Sequence, residues 1–594
     1  MIFGGSLGGI FAFACRSQRD GSAIFEGLRR LTYRGYDSVG VAFLDGKIEV
    51  KKAMGSADRN PGLFSFTSRV AVGHTRYATR GWPTLENAHP ILDCTGSVAV
   101  VMDGVIDNYE QLRSSLISRG HKLVTTTDTE VISHLLEEGK GPRDLLATLR
   151  GTFSAAYVRS GDERVWFIQD GQPLVIGKGQ ECLYLASDLP SLYGFADEAV
   201  IVPEGSYGYI SASGEFSIFS AEGSPLQQLT SKRVKYEPGS LDRAGYPHYM
   251  LKEIYEIPEA LERTTHSLMD KYLRLSGMIL YGARRAFIIG NGTSLHAGMV
   301  SAYYFSSLGG MSIEVVSAAE FPYYALDNVG TGTVVLAVSQ SGETSDVIRS
   351  IKMAKQRGAV IVGVTNVLGS RLALESNVYL PIGAGPELAV PATKTFTSTL
   401  AALMLLAAHV GLTAGKISQA ELNELYDDIR SFSKSLAESL PTVDAAASKI
   451  AGELRDSRDA YVVSSGITYP VALEGALKLK EAAMLHAEGV QLGELRHGPM
   501  VLTRDNYPII VIKPREEAAE ELYSRVMSEL RAREAKVIEV SDSPQASLQA
   551  TRATRPELYP IAAVVPLQLL AYRVGFERGL PIDLPPGLAK AITT

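Results

Sequence analysis

Glu474, Lys478 and Glu481 stand at i, i+4 and i+7 in Leu473-Glu474-Gly475-Ala476-Leu477-Lys478-Leu479-Lys480-Glu481. That spacing predicts one helix face bearing two carboxylates and an ammonium. On periodicity alone such a face is a solvated row of ion pairs, worth only a few tenths of a kcal/mol. A second set of functional groups is Ser339-Gln340-Ser341-Gly342-Glu343-Thr344, which falls between a predicted strand and a predicted helix. A helix start offers unpaired N–H groups and the positive end of the dipole, and hydroxyls on the same turn add donors to an anion. Gly292-Thr293-Ser294 occupies the equivalent turn earlier in the same unit. One such turn alone reads as an N-cap. Two in one α/β unit point to a phosphate.

The chain that must position these groups has 594 residues, enough for two to four domains. With 45% hydrophobic and 21% charged residues it reads as globular. A net charge of −7 argues against a nucleic-acid partner, which calls for a basic surplus. Three cysteines, Cys15, Cys94 and Cys182, are too few for a disulfide framework, so a reducing cytoplasm is expected. The opening MIFGGSLGGIFAFAC lacks the basic start of a signal segment and reads as a buried first strand. LAALMLLAAHVGL (400–412) is shorter than the roughly 20 residues of a membrane span and reads as a core helix, so no membrane association is expected.

Residues 8–220 read as many short β runs with two or three helices. VGVAFLDGKIEV (39–50) and GSVAVVMDGVI (96–106) are strands broken at Asp-Gly turns, and DTEVISHLLEEG (128–139) is a helix with Asp128 as N-cap. The polar stretch 224–247 is the best linker. Beyond it strands and helices alternate: 284–305, 333–358 and 359–366, then again 460–484, 507–514 and 535–542. Two copies of one α/β unit, each with a parallel sheet, account for this order.

Four stretches carry a family resemblance. They are Gly8-Gly9-Ile10-Phe11-Ala12-Phe13, EGLRRLTYRGYDSVGVA (26–42), LEGALKLKE with GELRHGP (493–499), and the tail Gly587-Leu588-Ala589-Lys590-Ala591-Ile592-Thr593-Thr594. From Leu7 to Thr594 the chain resembles the glucosamine-6-phosphate synthases, the isomerizing glutamine–fructose-6-phosphate aminotransferases. The resemblance implies an α+β glutaminase domain of the N-terminal nucleophile type, with four αββα layers, over 8–225. A linker over 226–250 follows, then two α/β sugar isomerase (SIS) domains over 251–430 and 431–594. It also implies that Ser294, Ser339, Gln340, Ser341 and Thr344 hold the substrate phosphate, with further sugar contacts from Val390 and Ala589. By the same match Glu481 moves a proton between C1 and C2, His497 assists ring opening, and Glu474 and Lys478 support the site. Lys590 forms a Schiff base with the open-chain ketose. The arginine and polar residue usual before that tail are replaced by Pro586 and Gly587.

For the glutaminase half the resemblance gives Arg76 to the glutamine carboxylate, Asp128 to its amino group, and Thr79, His89 and Gly104 to the same pocket. The catalytic positions differ. The family's first cysteine, whose own α-amino group serves as base, is Gly8 here, and the oxyanion-hole asparagine is Asp103 in Met102-Asp103-Gly104. Initiation at Leu7 would make Gly8 the mature terminus without restoring a nucleophile. Losing one oxyanion donor costs about 2.7–4 kcal/mol in comparable sites. Cys15, lower on the first strand, is not expected to substitute. The HTRWATHG segment also departs, at Tyr77 and Arg80.

The expected function is therefore glucosamine 6-phosphate formation from fructose 6-phosphate, with ammonia in place of glutamine. No metal and no organic cofactor is implied, and the expected assembly is a homodimer. The alternatives are a stand-alone ketose–aldose isomerase or amino-sugar-phosphate deaminase, and a non-catalytic sugar-phosphate sensor.

Overall fold

The computed structural model describes residues 8–78, 80–234, 243–367, 369–588 and 590. It divides into two compact units, Met1–Leu241 with Ala589–Thr594, and Asp242–Leu588.

The first unit is built on the alternation of its first strand, Gly8–Asp20. Phe11, Phe13 and Cys15 join a core with Ile24 and Leu28 of the Ser22–Arg30 helix, whereas Ile10, Ala12 and Ala14 join a second core on the other face. The strand lies in an eight-stranded antiparallel sheet, between Thr67–Arg76 and Cys182–Ala186. The second core is closed by a six-stranded antiparallel sheet that supplies Ala99, Val101, Ala156 and Phe167. On that sheet's outer face Val98, Val100 and Met102 pack with Leu116, Val131, Ile132 and Leu145 of three helices. The layers are helix, sheet, sheet, helix, as expected.

Two local expectations fail. Asp45-Gly46 does make a hairpin turn, with Gly46 at φ +67°, but Val98–Ile106 runs through Asp103-Gly104 as one strand paired with Gly151–Arg159. Gly104 keeps its positive φ of +122° inside that strand, where an added Cβ would lie 2.2 Å from the Thr152 carbonyl oxygen. The cysteines are also not all free. Register sets Cys15 opposite Cys182, with Cα atoms 4.1 Å apart, and a disulfide joins them across 167 residues of sequence. Cysteine number is thus no argument for a reducing compartment here.

The second unit carries two five-stranded parallel sheets with the same strand order. In the first, Glu314–Ser317, Arg285–Gly290, Thr333–Val338, Val360–Thr365 and Val378–Pro381 lie side by side. In the second the order is His486–Gln491, Asp459–Ser464, Pro508–Ile512, Lys536–Ser541 and Leu548–Gln549. Each sheet starts at its second position, steps outward, then reverses, so each has a crevice where the chain direction switches. The 400–412 run lies in the 20-residue helix Lys394–Thr413. That helix and the Pro556–Glu577 stretch are long and apolar enough to cross a membrane, but 94% of the most apolar 18-residue window in each is buried. Both helices join one core with residues of both sheets. The 36-residue helix Gln419–Leu454, started by a Ser418–Glu421 capping box, runs straight through position 430, the expected domain boundary.

Candidate functional site

In the second unit the acidic helix face is buried. Glu474 and Lys478, on the Tyr469–Ala483 helix, have no exposed side-chain surface. Lys478 Nζ lies 3.3 Å from Glu474 Oε1 and pairs with Glu481 Oε2. The solvated reading of this face is overturned because the first sheet's own helix supplies partners. Thr293 Oγ1 donates to Glu474 Oε1 at 3.0 Å, His296 Nδ1 lies 2.7 Å from Glu474 Oε2, and Lys478 Nζ donates to Thr293 Oγ1 at 3.3 Å. Burial works against the charge on Lys478, but Glu474 and Glu481 outweigh it and hold its pKa above the ordinary lysine value. Burial likewise opposes the Glu474 carboxylate, and Lys478 and His296 keep its pKa below the ordinary value. A largely buried charged network of this kind, with Glu474 and Lys478 wholly inside, is a candidate site.

Thr293 begins the Thr293–Ser307 helix, which follows the Arg285–Gly290 strand. The neighbouring strand Thr333–Val338 leads into Ser339–Thr344 and the Ser345–Gln356 helix. Both turns therefore flank the crevice of the first sheet. Neither Gly292 nor Thr344 caps its helix with a side-chain hydrogen bond, and each helix start turns the positive end of its dipole to the crevice. Ser339 is buried and shapes the loop: its Oγ accepts from Gly342 N at 3.1 Å and lies 2.8 Å from Thr344 Oγ1. Gly342, at φ +67°, could carry no Cβ, which would fall 2.1 Å from Ser370 Oγ. Arg371 closes the loop from below, through Nε to Glu343 Oε2 at 2.7 Å. Gln340, Ser341, Thr344 and Ser294 are half-buried beside these helix starts.

The second sheet's equivalent turn holds a carboxylate of its own. Glu516, after the Pro508–Ile512 strand, accepts from Ile467 N at 2.7 Å at the turn that follows Asp459–Ser464. Gly466 in that turn has φ +60°, and a Cβ there would lie 2.1 Å from Glu516 Oε1.

In the first unit, strand parity builds the pocket. Gly8 shares the inner face with Ile10 and Ala12, His74 and Arg76 with Val70 and Val72, and Asp103 with Ala99 and Val101. Asp103 Oδ1 accepts from Gly8 N at 2.8 Å, and Asp103 Oδ2 pairs with Arg34 Nη2 at 2.7 Å, both side chains buried. Arg34 Nε also donates to the Gly8 carbonyl at 2.8 Å. A Cβ at Gly8 would come 2.5 Å from His74 Nε2. Burial, with Arg76 nearby, pushes His74 down to about 3, so its ring is neutral. His89 is pushed down by burial and by His74; its Nδ1 accepts from Met102 N at 3.3 Å and its Nε2 lies 2.9 Å from Thr129 Oγ1.

Asp128 does not cap its helix. The helix is Glu130–Glu137 with Thr129 at the N-cap, and Asp128 Oδ2 instead accepts from Ile106 N at 2.9 Å, next to Gly104. Burial raises the Asp128 pKa above the usual carboxylate value. Arg76 donates to the carbonyl oxygen of Arg80 at 2.7 Å. Cys15, tied to Cys182, is no nucleophile.

The geometry thus gathers Glu474, Lys478 and Glu481, and separately Gly8, Arg76, His89, Asp103, Gly104 and Asp128. His497 lies exposed on the Glu494–His497 turn, outside the Glu474 hydrogen bonds. Val390 is buried and its N donates to the Asp583 carbonyl at 2.8 Å. Lys590 is half-buried and groups with the first unit. Thr79 and Ala589 lie outside the described residues. Sequence reasoning missed His296, Arg34 and His74. The His296 signal was present, three residues into the helix that follows Gly292.

Residues 74–194 match the glutamine amidotransferase domain family, and 279–409 and 453–578 match the SIS domain family. Over 604 residues the chain is 38% identical to a protein of Aeropyrum pernix named glutamine–fructose-6-phosphate aminotransferase (isomerizing), with 96% of this chain and 97% of that protein covered. A protein of the same name from Pyrobaculum aerophilum is 39% identical over 611 residues, covering 98% and 99%. Among solved structures, the C-terminal domain of glucosamine-fructose-6-phosphate aminotransferase from Francisella tularensis is 30% identical with a TM-score of 0.53. It covers 58% of this chain and 100% of that one.

Proposed function

The chain belongs to the isomerizing glutamine–fructose-6-phosphate aminotransferase family, and we propose that it makes glucosamine 6-phosphate from fructose 6-phosphate with ammonia as the nitrogen donor. The observation that carries this is the largely buried Glu474–Lys478–Glu481 network beside two helix starts without a side-chain cap. The phosphate sits on the Ser339–Thr344 and Gly292–Ser294 turns, with Ser294, Gln340, Ser341 and Thr344 as donors. His497 helps open the ring. The Lys590 amine adds to the C2 carbonyl and water leaves, giving a Schiff base that ammonia then displaces. Glu481 takes a proton from C1 and returns it at C2 while the O1 hydroxyl proton passes to the imine nitrogen, converting the ketose imine to the aldose amine. Lys478 holds the Glu481 carboxylate in place and Glu474 holds Lys478. Val390 borders the sugar.

Glutamine is not the donor in this reading, because Gly8 offers no thiol and Asp103 presents an acceptor where an oxyanion needs a donor. The Arg76 and Asp128 pocket can still bind an amino acid without cleaving it. A homodimer and a cytoplasmic site of action are part of the proposal; the charge of a hexose phosphate supports the latter, since it does not cross a bilayer unaided.

The test is glucosamine 6-phosphate formation with ammonium against glutamine. Equal or faster synthesis from glutamine would overturn the reading. The missing nucleophile also favours a second one, hexose-phosphate isomerisation with no nitrogen donor. Glucose 6-phosphate formed without ammonium, at a rate that ammonium does not divert, would support it.

A further inference from the structure

We propose that Cys94, His121, His134 and Glu137 form a closed, four-ligand site in the first unit for a divalent transition-metal ion of the zinc class. The four come from three separate segments. Cys94 lies on the turn between the Ile91–Leu92 and Val98–Ile106 strands, and His121 follows the Tyr109–Ser118 helix. His134 and Glu137 stand at i and i+3 on the Glu130–Glu137 helix. Their ligand atoms nevertheless all fall within 4.8 Å of one another.

The separations lie within about half an ångström of those around one small ion. Cys94 Sγ is 3.5 Å from His134 Nδ1 and 3.8 Å from His121 Nδ1. Glu137 Oε2 is 2.9 Å from His134 Nδ1 and 3.1 Å from His121 Nδ1. Zinc bonds of about 2.0–2.3 Å in a tetrahedron place their ligand atoms roughly 3.3–3.6 Å apart. One sulfur, two imidazole nitrogens and one carboxylate oxygen are the donors that zinc takes, and calcium or magnesium would not accept this set.

The outer contacts are an independent observation. A metal-bound imidazole commonly turns its other nitrogen to a carboxylate, which fixes the ring and raises its basicity. One ring does so here, His121 Nε2 lying 3.1 Å from Glu138 Oε1; His134 Nε2 is buried without a hydrogen-bond partner and faces Glu130 Oε1 at 3.8 Å. Glu130 is itself held, accepting from Val124 N at 2.7 Å, Thr125 N at 2.9 Å and Thr125 Oγ1 at 2.7 Å. Glu138 is paired with Arg119 at 3.0 Å.

Four protein ligands leave no position for water or substrate, so the ion is structural. It pins the Glu130–Glu137 helix to the strand turn and to the segment after Ser118. That helix follows directly on Asp128 and Thr129, which reach Ile106 and His89. The ion therefore stiffens the amino-acid pocket from behind without entering it. The site does not depend on the proposed sugar chemistry.

The test uses the full-length chain without affinity histidines, stripped with chelator and refilled with zinc or cobalt(II). Expected are about one zinc per chain by elemental analysis and a tetrahedral cobalt spectrum with a thiolate charge-transfer band. Cys94→Ala removes that band, and Glu138→Gln, which leaves all four ligands intact, lowers zinc affinity about 10-fold or more. Circular dichroism of the variants confirms that they fold. Bound metal no higher than in a Cys94→Ala/His134→Ala variant, or an octahedral cobalt spectrum unchanged by Cys94→Ala, means a hydrogen-bonded cluster only and overturns the proposal.

Discussion

Asp103 Oδ1 accepts the backbone N–H of Gly8 at 2.8 Å, so two departures from the family pattern are hydrogen-bonded to each other. They form one altered pocket. Arg34 completes it by bonding to both residues.

Restoring the thiol alone therefore fails. Gly8→Cys must displace the His74 ring, which stands 2.5 Å from the new Cβ, and it still faces the Asp103 carboxylate. We expect no glutamate release from glutamine by Gly8→Cys in a coupled dehydrogenase assay. Turnover comparable with ammonium-driven synthesis would contradict this.

Removing the acid exposes what it balances. Asp103→Ala leaves Arg34 charged and buried, a change that costs about 3–5 kcal/mol in comparable pairs. Urea unfolding should show that loss in the first unit, with ammonium-dependent synthesis kept at temperatures where the chain stays folded. An unchanged midpoint would mean that Arg34 finds another partner.

The buried pair of the second unit sets a pH window. Glu474 has a folded pKa below its ordinary 4.5, so its stabilisation is present above that value and is lost as pH falls through the folded one. Lys478 has a folded pKa above its ordinary 10.5, so its share is complete below that value and is lost as pH rises through the folded one. Melting temperature against pH should fall at both ends. Glu474→Gln should flatten the acid side, and identical acid limbs in wild type and variant would refute the assignment.

Binding and chemistry should separate kinetically. In the proposed site, Ser341→Ala or Thr344→Ala would remove a hydrogen bond to a charged phosphate, about 1.5–3 kcal/mol, and should raise KM by roughly 10–100-fold with kcat little changed. Glu481→Gln should instead lower kcat by about 10²–10⁴-fold with KM nearly kept. The reverse pattern would exchange their roles.

The Cys15–Cys182 link closes a long loop in the first unit. Reduction should cost that unit about 2–5 kcal/mol and leave the second unit's transition in place. Calorimetry with and without reductant decides it.

Much of this was legible from pattern. Alternation in Gly8–Asp20 and the strand–turn–helix order around Gly292 and Ser339 reflect local periodicity, which a sequence carries openly. Asp103-Gly104 misled because a turn dipeptide was kept inside a strand by cross-strand pairing and by Arg34. Asp128 misled because its side chain found Ile106, a partner 22 residues away, in preference to its own helix. The burial of Glu474 depends on Thr293 and His296, which lie 181 and 178 residues away. No window of sequence holds that information.

Glu516 gives the internal duplication an asymmetric outcome. The later copy brings its own permanent anion, tethered by Ile467, to the place that corresponds to the proposed phosphate turn of its sister copy. Saturation should accordingly come at a single equivalent of hexose phosphate for each polypeptide, and the later copy is released to serve as a wall that lends Glu474 and Lys478 to its twin.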